Sequence, residues 1–139
     1  MNEGLVQVRE YLGEGYKPLV DYDTWRVAIL RFIDTLRPEN IEYLECHLET
    51  DEVFVLLEGQ CILFIGTPDE DGTFSIETIS MKPLKLYNIR QGVYHSHTLS
   101  PNASVLVVEN QDTTAANSRR INLTEAQRTK IISLGKLSK

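Results

Sequence analysis

The feature that most constrains the fold of this chain is a run of short strand-like segments between residues 41 and 109. Turn formers divide the run at Glu58-Gly59, at 68–72 and at Gln91-Gly92. The segments themselves are rich in β-branched and aromatic residues, and they span 41–48, 53–57, 61–66, 73–80, 84–89, 93–99 and 104–109. Since no helical pattern separates them, the sequence predicts an all-β fold, an antiparallel barrel or sandwich.

The segment 25–33 fits two interpretations. Trp25, Ile29, Phe32 and Leu36 have helical spacing, yet the density of Val, Ile, Phe and Trp favours a strand. We predict a strand, ended before Pro38, which cannot donate a hydrogen bond to a neighbouring strand.

The two ends of the chain differ from its centre. Residues 1–24 are predicted to form an arm with one or two weak strands, and residues 122–137 a tail with one short helix. Thr124 and Gln127 have the spacing of a capping box, and Gly135 is expected near the end of the helix. The segment 61–65 is apolar on both faces. Its outer face must therefore be covered by the arm, the helix or a second subunit.

Length and composition limit the class of protein. With 139 residues, 42% of them hydrophobic and 24% charged, the chain is expected to be one globular domain, 1–139, with its core in 25–110. A net charge of -6 argues against nucleic-acid binding but leaves a small anionic ligand open. We expect no signal peptide and no membrane span. Cys46 and Cys61 are predicted to be buried free thiols, which suits a cytoplasmic location.

Residues 45–59 carry the first of two motifs. The segment contains Glu45, His47, Glu52 and Gly59. It resembles the first motif of the cupin superfamily, in which two histidines alternate on a strand, a glutamate follows, and a glycine ends the next strand. His47, Glu52 and Gly59 stand where that motif has its second histidine, its glutamate and its glycine.

Residues 89–95 resemble the second cupin motif. Gly92 and His95 match it, whereas Arg90 stands at the proline position and Leu99 at the position of an expected asparagine. The two motifs together identify the chain as a small single-domain cupin. The resemblance implies a jelly-roll β-barrel, here with a short C-terminal α-helix.

The residue types at these positions are those of a metal site. Glu45 and His47 share a strand face because side chains alternate, and Glu52 begins the next strand. With His95 they form a mixed nitrogen and oxygen set suited to Fe, Mn, Ni, Zn or Cu. Since Glu45 replaces the usual first histidine, three outcomes stay open. Glu45 completes a two-histidine, two-carboxylate site, or it turns away and leaves a triad, or the site holds no metal.

Other side chains are weaker candidates for the site. His97 shares the face of His95, so it is either a substitute for the missing histidine, a general acid-base catalyst, or a polar residue at the barrel mouth. The remaining candidates are a pocket-lining Tyr43, two tyrosines of packing type, Tyr87 and Tyr94, and two arginines able to hold a carboxylate, Arg26 and Arg90. Residues 109–114 and 117–118 are interpreted as turns and caps.

These observations predict a metal-binding cupin that binds or acts on a small polar organic ligand, a sugar or an organic acid. No organic cofactor is expected. The alternative is a non-enzymatic ligand-binding or sensory module without a complete metal site. In either case we expect a homodimer, and the sequence leaves open whether the protein is an enzyme.

Overall fold

A computed structural model describes residues 4–138 and shows an all-β architecture with one short α-helix. The described residues form ten strands, three short 3-10 segments and the helix. The bounds are β1 Gly15–Tyr22, β2 Trp25–Arg31, β3 Tyr43–His47, β4 Glu52–Glu58, β5 Cys61–Pro68, β6 Phe74–Ser80, β7 Leu86–Ile89, β8 His95–Leu99, β9 Ser104–Asn110, β10 Ser118–Asn122 and α1 Glu125–Leu134.

The strands form two five-stranded sheets that pack as a jelly-roll barrel. One sheet has the order β1-β2-β9-β4-β7 and the other β10-β3-β8-β5-β6. All of the neighbouring pairs are antiparallel. The motif-bearing strands β3 and β8 therefore lie side by side in one sheet, and β4 faces them from the other.

The main core lies between the sheets, on the inward-facing residues of each strand. Cys61 and Leu63 of β5 point inward, and they pack with a cluster from both sheets that includes Phe54, Val105 and Val107. These side chains are at most 2% exposed. Burial of this apolar surface is the main favourable term that holds the sheets together.

A second cluster covers the outer face of the β5 sheet. Ile62 and Phe64, which alternate with the inward residues of β5, pack with Leu44, Ile76 and Ile131 of α1. Of the three coverings considered for this face, the C-terminal helix is therefore the one found. The homodimer remains a prediction.

The helix begins with the capping box predicted from the sequence. The Thr124 hydroxyl accepts from the Gln127 amide at 3.2 Å, and the Gln127 side chain accepts from the Thr124 amide at 2.8 Å. Both bonds satisfy amide groups that a helix start leaves unpaired. Helix α1 ends at Leu134, one residue before Gly135.

Further predictions from the sequence concerned the strand at 25–33, the N-terminal arm and the two cysteines. Segment 25–31 is a strand, and the N-terminal arm contributes one strand, β1, at the sheet edge. Cys46 and Cys61 are buried free thiols, and burial raises the pKa of Cys61 to about 12. Strand β10 was not predicted. Within residues 4–138, no helix has the length and apolar character needed to cross a membrane.

Gly59 closes the connection between β4 and β5 at a point of close approach. Its φ is +77°, and a Cβ there would lie 2.6 Å from the Cα of Ala103 and 2.8 Å from the Ser100 hydroxyl. Both the backbone conformation and the space favour glycine. Gly72 has a similar φ of +85°, but a Cβ there would meet nothing within 4 Å.

We therefore expect Gly59→Ala to destabilise the protein by about 2–4 kcal/mol, since it adds steric overlap to backbone strain. Gly72→Ala is the matched control and should cost about 1 kcal/mol from strain alone. Urea unfolding of both variants measures the difference. Equal losses would contradict the close approach at Ala103.

Candidate metal centre and ligand cavity

A cavity of about 960 Å³ opens between the two sheets at the end of the barrel that carries the motif residues. His47, Glu52 and His95 line it together with Glu109, and the 3-10 segment 34–36 and strand β10 contribute to its wall. The cavity is of the size that small-molecule sites have in other proteins.

His47, Glu52 and His95 meet at this cavity from three strands. Nε2 of His47 lies 3.2 Å from Glu52 Oε1, and Nε2 of His95 lies 3.0 Å from the same oxygen. One ligand atom of each residue lies within 4.8 Å of the other two. All three side chains are at most 10% exposed. The structure thus brings together the three residues on which the sequence-based site was centred.

The outer nitrogen of each imidazole is held by a hydrogen-bond acceptor. His95 Nδ1 lies 3.0 Å from the Val93 carbonyl oxygen, which can only accept, so this nitrogen carries a hydrogen. His47 Nδ1 lies 2.8 Å from the Ser118 hydroxyl, which itself donates to the Thr114 carbonyl. The hydroxyl therefore accepts from His47. In both neutral rings the unprotonated Nε2 faces Glu52.

Three lone pairs then converge on one buried point, and this arrangement needs a positive charge. Either a proton on an imidazole or a bound cation satisfies it. Burial lowers the pKa of His47, but the hydrogen bond to Glu52 and the nearby carboxylates raise it overall. Burial likewise opposes ionisation of Glu52, while the bonds to His47 and His95 hold its pKa below the usual range. Held Nδ1 atoms and a shared carboxylate fit a divalent metal.

Glu109 is a buried carboxylate of this site that sequence reasoning missed. It lies near the end of β9, is 7% exposed, and its Oε1 accepts from the Tyr16 hydroxyl. Its Oε2 lies 4.0 Å from His47 Nε2 and has no hydrogen-bond donor among residues 4–138. Burial and the neighbouring Glu52 raise the pKa of Glu109 to about 8.

The alternation within β9 was the signal that could have found Glu109. Val107 and Val105 are buried at the positions two and four residues earlier, respectively. Counting forward by two places Glu109 on the inner face. In the sequence, Glu109 directly precedes a run of turn formers and was predicted to belong to it.

Glu45 lies on the cavity wall but outside the group of three. It pairs in register with His95, and its Oε2 accepts from Arg120 Nε at 3.0 Å. The Arg120 guanidinium also lies 4.3 Å above the ring of Tyr43. Glu45, Arg120 and Tyr43 all line the cavity, so Tyr43 occupies the place expected of it.

His97 lines the cavity beside Phe54, with ring centroids 5.7 Å apart. Burial and the proximity of His95 lower the pKa of His97 to about 4, so the ring is neutral near pH 7. Its Nδ1 is buried and, within the described part of the chain, has no hydrogen-bond partner. His97 thus places a ring nitrogen without a partner among residues 4–138 at the wall of the cavity.

Two arginines were candidates for holding a carboxylate. Arg26 lines the cavity and donates to Asp21 at 3.0 Å, so one of its nitrogens is already engaged. Arg90 has a side chain 79% exposed and lies near Asp51, at 3.5 Å, away from the cavity.

Tyr87 and Tyr94 were predicted to be packing residues, and both contact other side chains of the protein. Tyr87 packs against the main core, and its hydroxyl accepts from the Lys82 amide at 2.9 Å. Tyr94 stacks on Phe74, with centroids 6.5 Å apart.

Comparisons with known proteins identify the fold. No protein-family model matches the sequence, and no curated protein matches it. Among solved structures, a variant of Streptomyces PAC13 with uridine aligns with a TM-score of 0.56 at 10% identity, over 84% of this chain and 87% of its own. A structure of Pac13, called a nucleoside dehydratase, aligns with a TM-score of 0.56 at 10% identity, over 84% and 88%.

A third match comes from an established cupin. A variant of the Bacillus subtilis oxalate decarboxylase OxdC aligns with a TM-score of 0.53 at 13% identity, over 79% of this chain and 29% of that protein. This chain has the cupin fold. At such low identities the similarity concerns the fold alone, so the chemistry of this chain must be argued from its own residues.

In the metal-free protein, the raised pKa of Glu109 beside Glu52 should make the free energy of unfolding depend on pH. Because folding raises the pKa of Glu109 from about 4.5 to about 8, the folded state takes up a proton that the unfolded state has lost. The contribution of Glu109 to wild-type stability should therefore fall as the pH rises between about 5 and 8. Glu109→Gln removes this loss, and its amide can donate to Glu52.

We expect Glu109→Gln to be more stable than the wild type by roughly 2–4 kcal/mol at pH 8, with little difference near pH 5. Thermal unfolding in a chelating buffer measures this, with Glu70→Gln on an exposed turn as the control. A variant less stable than the wild type at both pH values would contradict the prediction.

Proposed function

We propose that this cupin binds a divalent transition metal through His47, Glu52 and His95, and that the cavity around the metal binds a small polar organic ligand. The observation that carries the proposal is the convergence of both Nε2 atoms on Glu52 Oε1 at 3.2 and 3.0 Å. Hydrogen bonds to Ser118 and Val93 keep both imidazoles in the required orientation.

The donor set is compatible with Fe, Mn, Ni, Zn or Cu. A metal bound by three side chains keeps coordination positions for a ligand, and when bound it supplies a Lewis acid that polarises a carbonyl or hydroxyl oxygen. The protein's own part is to hold the ligand. The buried ring nitrogen of His97, which has no partner among residues 4–138, suits a ligand hydroxyl group, and Arg120 on the wall suits a carboxylate.

This lining supports a sugar or an organic acid as the ligand class. The cavity volume of about 960 Å³ accommodates either. Since a PAC13 structure contains uridine, a nucleoside belongs in the same screening panel. A homodimer and a cytoplasmic location complete the proposal.

A metal-free ligand-binding module is the second candidate, and Glu45 favours it. The position of the usual first histidine holds a carboxylate that is engaged by Arg120. In that case, a proton on His47 or His95 satisfies Glu52, and the cavity binds its ligand by hydrogen bonds alone.

Metal content separates the two candidates. Protein purified without an affinity tag should contain close to one equivalent of Fe, Mn, Ni, Zn or Cu by elemental analysis. His47→Ala and His95→Ala should each weaken metal binding by at least about 100-fold, and Ser118→Ala by about 10-fold, since it removes only the acceptor that orients His47. Glu70→Gln is the control and should bind as the wild type does.

A wild-type protein that takes up no metal after incubation with each of the five ions would contradict the metalloprotein. Wild-type affinity in both histidine variants would do the same, since the metal would then lie elsewhere. Ligand binding that persists in His47→Ala would support the metal-free module.

A further inference from the structure

The most informative group outside the cupin motifs is the carboxylate of Glu109. We propose that Glu109 is a fourth protein ligand of the metal centre and takes the place of the histidine that Glu45 replaces. This inference rests on the metal-binding function proposed above. It assigns the two-carboxylate form of the site to Glu52 and Glu109, rather than to Glu52 and Glu45.

The register of the sheet places Glu109 at the centre. Strands β4 and β9 pair Val53 with Val108, and the next residues along each strand are Glu52 and Glu109. Residues opposite each other in an antiparallel pair point to the same face, so both carboxylates point into the barrel. Two neighbouring strands thus deliver two carboxylates to one point.

The two oxygens of Glu109 have different environments. Oε1 accepts a hydrogen bond from Tyr16, which orients the carboxylate. Oε2 is buried, has no donor among residues 4–138, and lies 4.0 Å from Nε2 of His47, the same nitrogen that faces Glu52. A buried carboxylate oxygen without a partner is unfavourable. In the metal-free protein a proton shared with Glu52 can supply this partner, and a cation bound beside His47 would replace that proton.

The distances agree with a shared metal. Two ligand atoms at about 2.1 Å from one ion lie roughly 3–4.2 Å apart, and the separation between Glu109 and His47 falls within this range. The contacts of Glu52 with His47 and His95, at 3.2 and 3.0 Å, are shorter, and Glu109 lies outside the group whose ligand atoms are all within 4.8 Å of one another. Coordination by Glu109 requires a small rotation of its side chain toward that group.

Glu45 lacks these properties. Its Oε2 is engaged by Arg120 at 3.0 Å, and its side chain is 30% exposed. Arg120 therefore competes with a metal for the Glu45 carboxylate. Of Glu45 and Glu109, it is Glu109 that has a buried oxygen without a hydrogen-bond partner among residues 4–138.

The test is titration of the metal-free protein with Co²⁺, whose visible absorption reports on its ligands. Glu109→Gln should weaken Co²⁺ binding by about 10- to 100-fold and change the position and intensity of the absorption bands. Glu45→Gln should change the affinity by less than about threefold and leave the bands unchanged. Glu70→Gln is the neutral control.

Tyr16→Phe separates ligation from positioning. This variant keeps the Glu109 carboxylate but removes the hydroxyl that orients it, so the expected loss is smaller than that of Glu109→Gln and the bands should stay in place. Thermal unfolding of the metal-free Glu109→Gln protein checks that it is folded. A stable variant that binds Co²⁺ weakly with altered bands supports ligation.

Other outcomes overturn the inference. If Glu109→Gln binds Co²⁺ with wild-type affinity and bands while His47→Ala does not bind, Glu109 is not a ligand, although the metal-binding function stands. If Glu45→Gln causes the large loss and Glu109→Gln does not, Glu45 is the fourth ligand. If the wild type binds no Co²⁺, Zn²⁺ or Mn²⁺, the proposed function fails and this inference fails with it.

Discussion

The contact on which this site depends is that of the buried Glu52 carboxylate with His47 and His95. A charged group away from water is costly unless it is paired. Glu52 is 7% exposed, and both imidazoles turn Nε2 toward one of its oxygens. The pairing requires that strands β3, β4 and β8 keep their positions, because each contributes one member. The other strands of the two sheets hold these three strands in position.

That support is visible along single strands. In β4 the inward residues after Glu52 are Phe54 and Leu56, and in β9 those before Glu109 are Val105 and Val107. The same strands are therefore apolar at one end of the barrel and titratable at the other. Hydrophobic burial at the apolar end offsets the cost of gathering carboxylates and imidazoles at the other end.

Local patterns predicted the parts of the molecule that depend on neighbours in sequence. Alternation gave the strands, the Thr124–Gln127 pair gave the helix start, and motif spacing brought His47 and Glu52 together with His95. The remaining features depend on pairing between strands that are far apart in the sequence. Strand β10 carries Arg119, Arg120 and Asn122, and it is a strand because it pairs with β3. Its pairing also places Arg120 opposite Glu45, and a single sequence contains no signal for this register.

The pairing of β4 with β9 also affects the charge of the centre, because it places Glu109 beside Glu52. A site with two neutral imidazoles and two carboxylates, Glu52 and Glu109, carries a charge of -2 and neutralises a divalent ion, whereas a site with one carboxylate leaves a net positive charge. An anionic ligand is then attracted less by the metal and more by Arg120 on the cavity wall. Since Arg120 is held by Glu45 and stacked on Tyr43, the residue that replaced the histidine would act on the ligand instead of the metal.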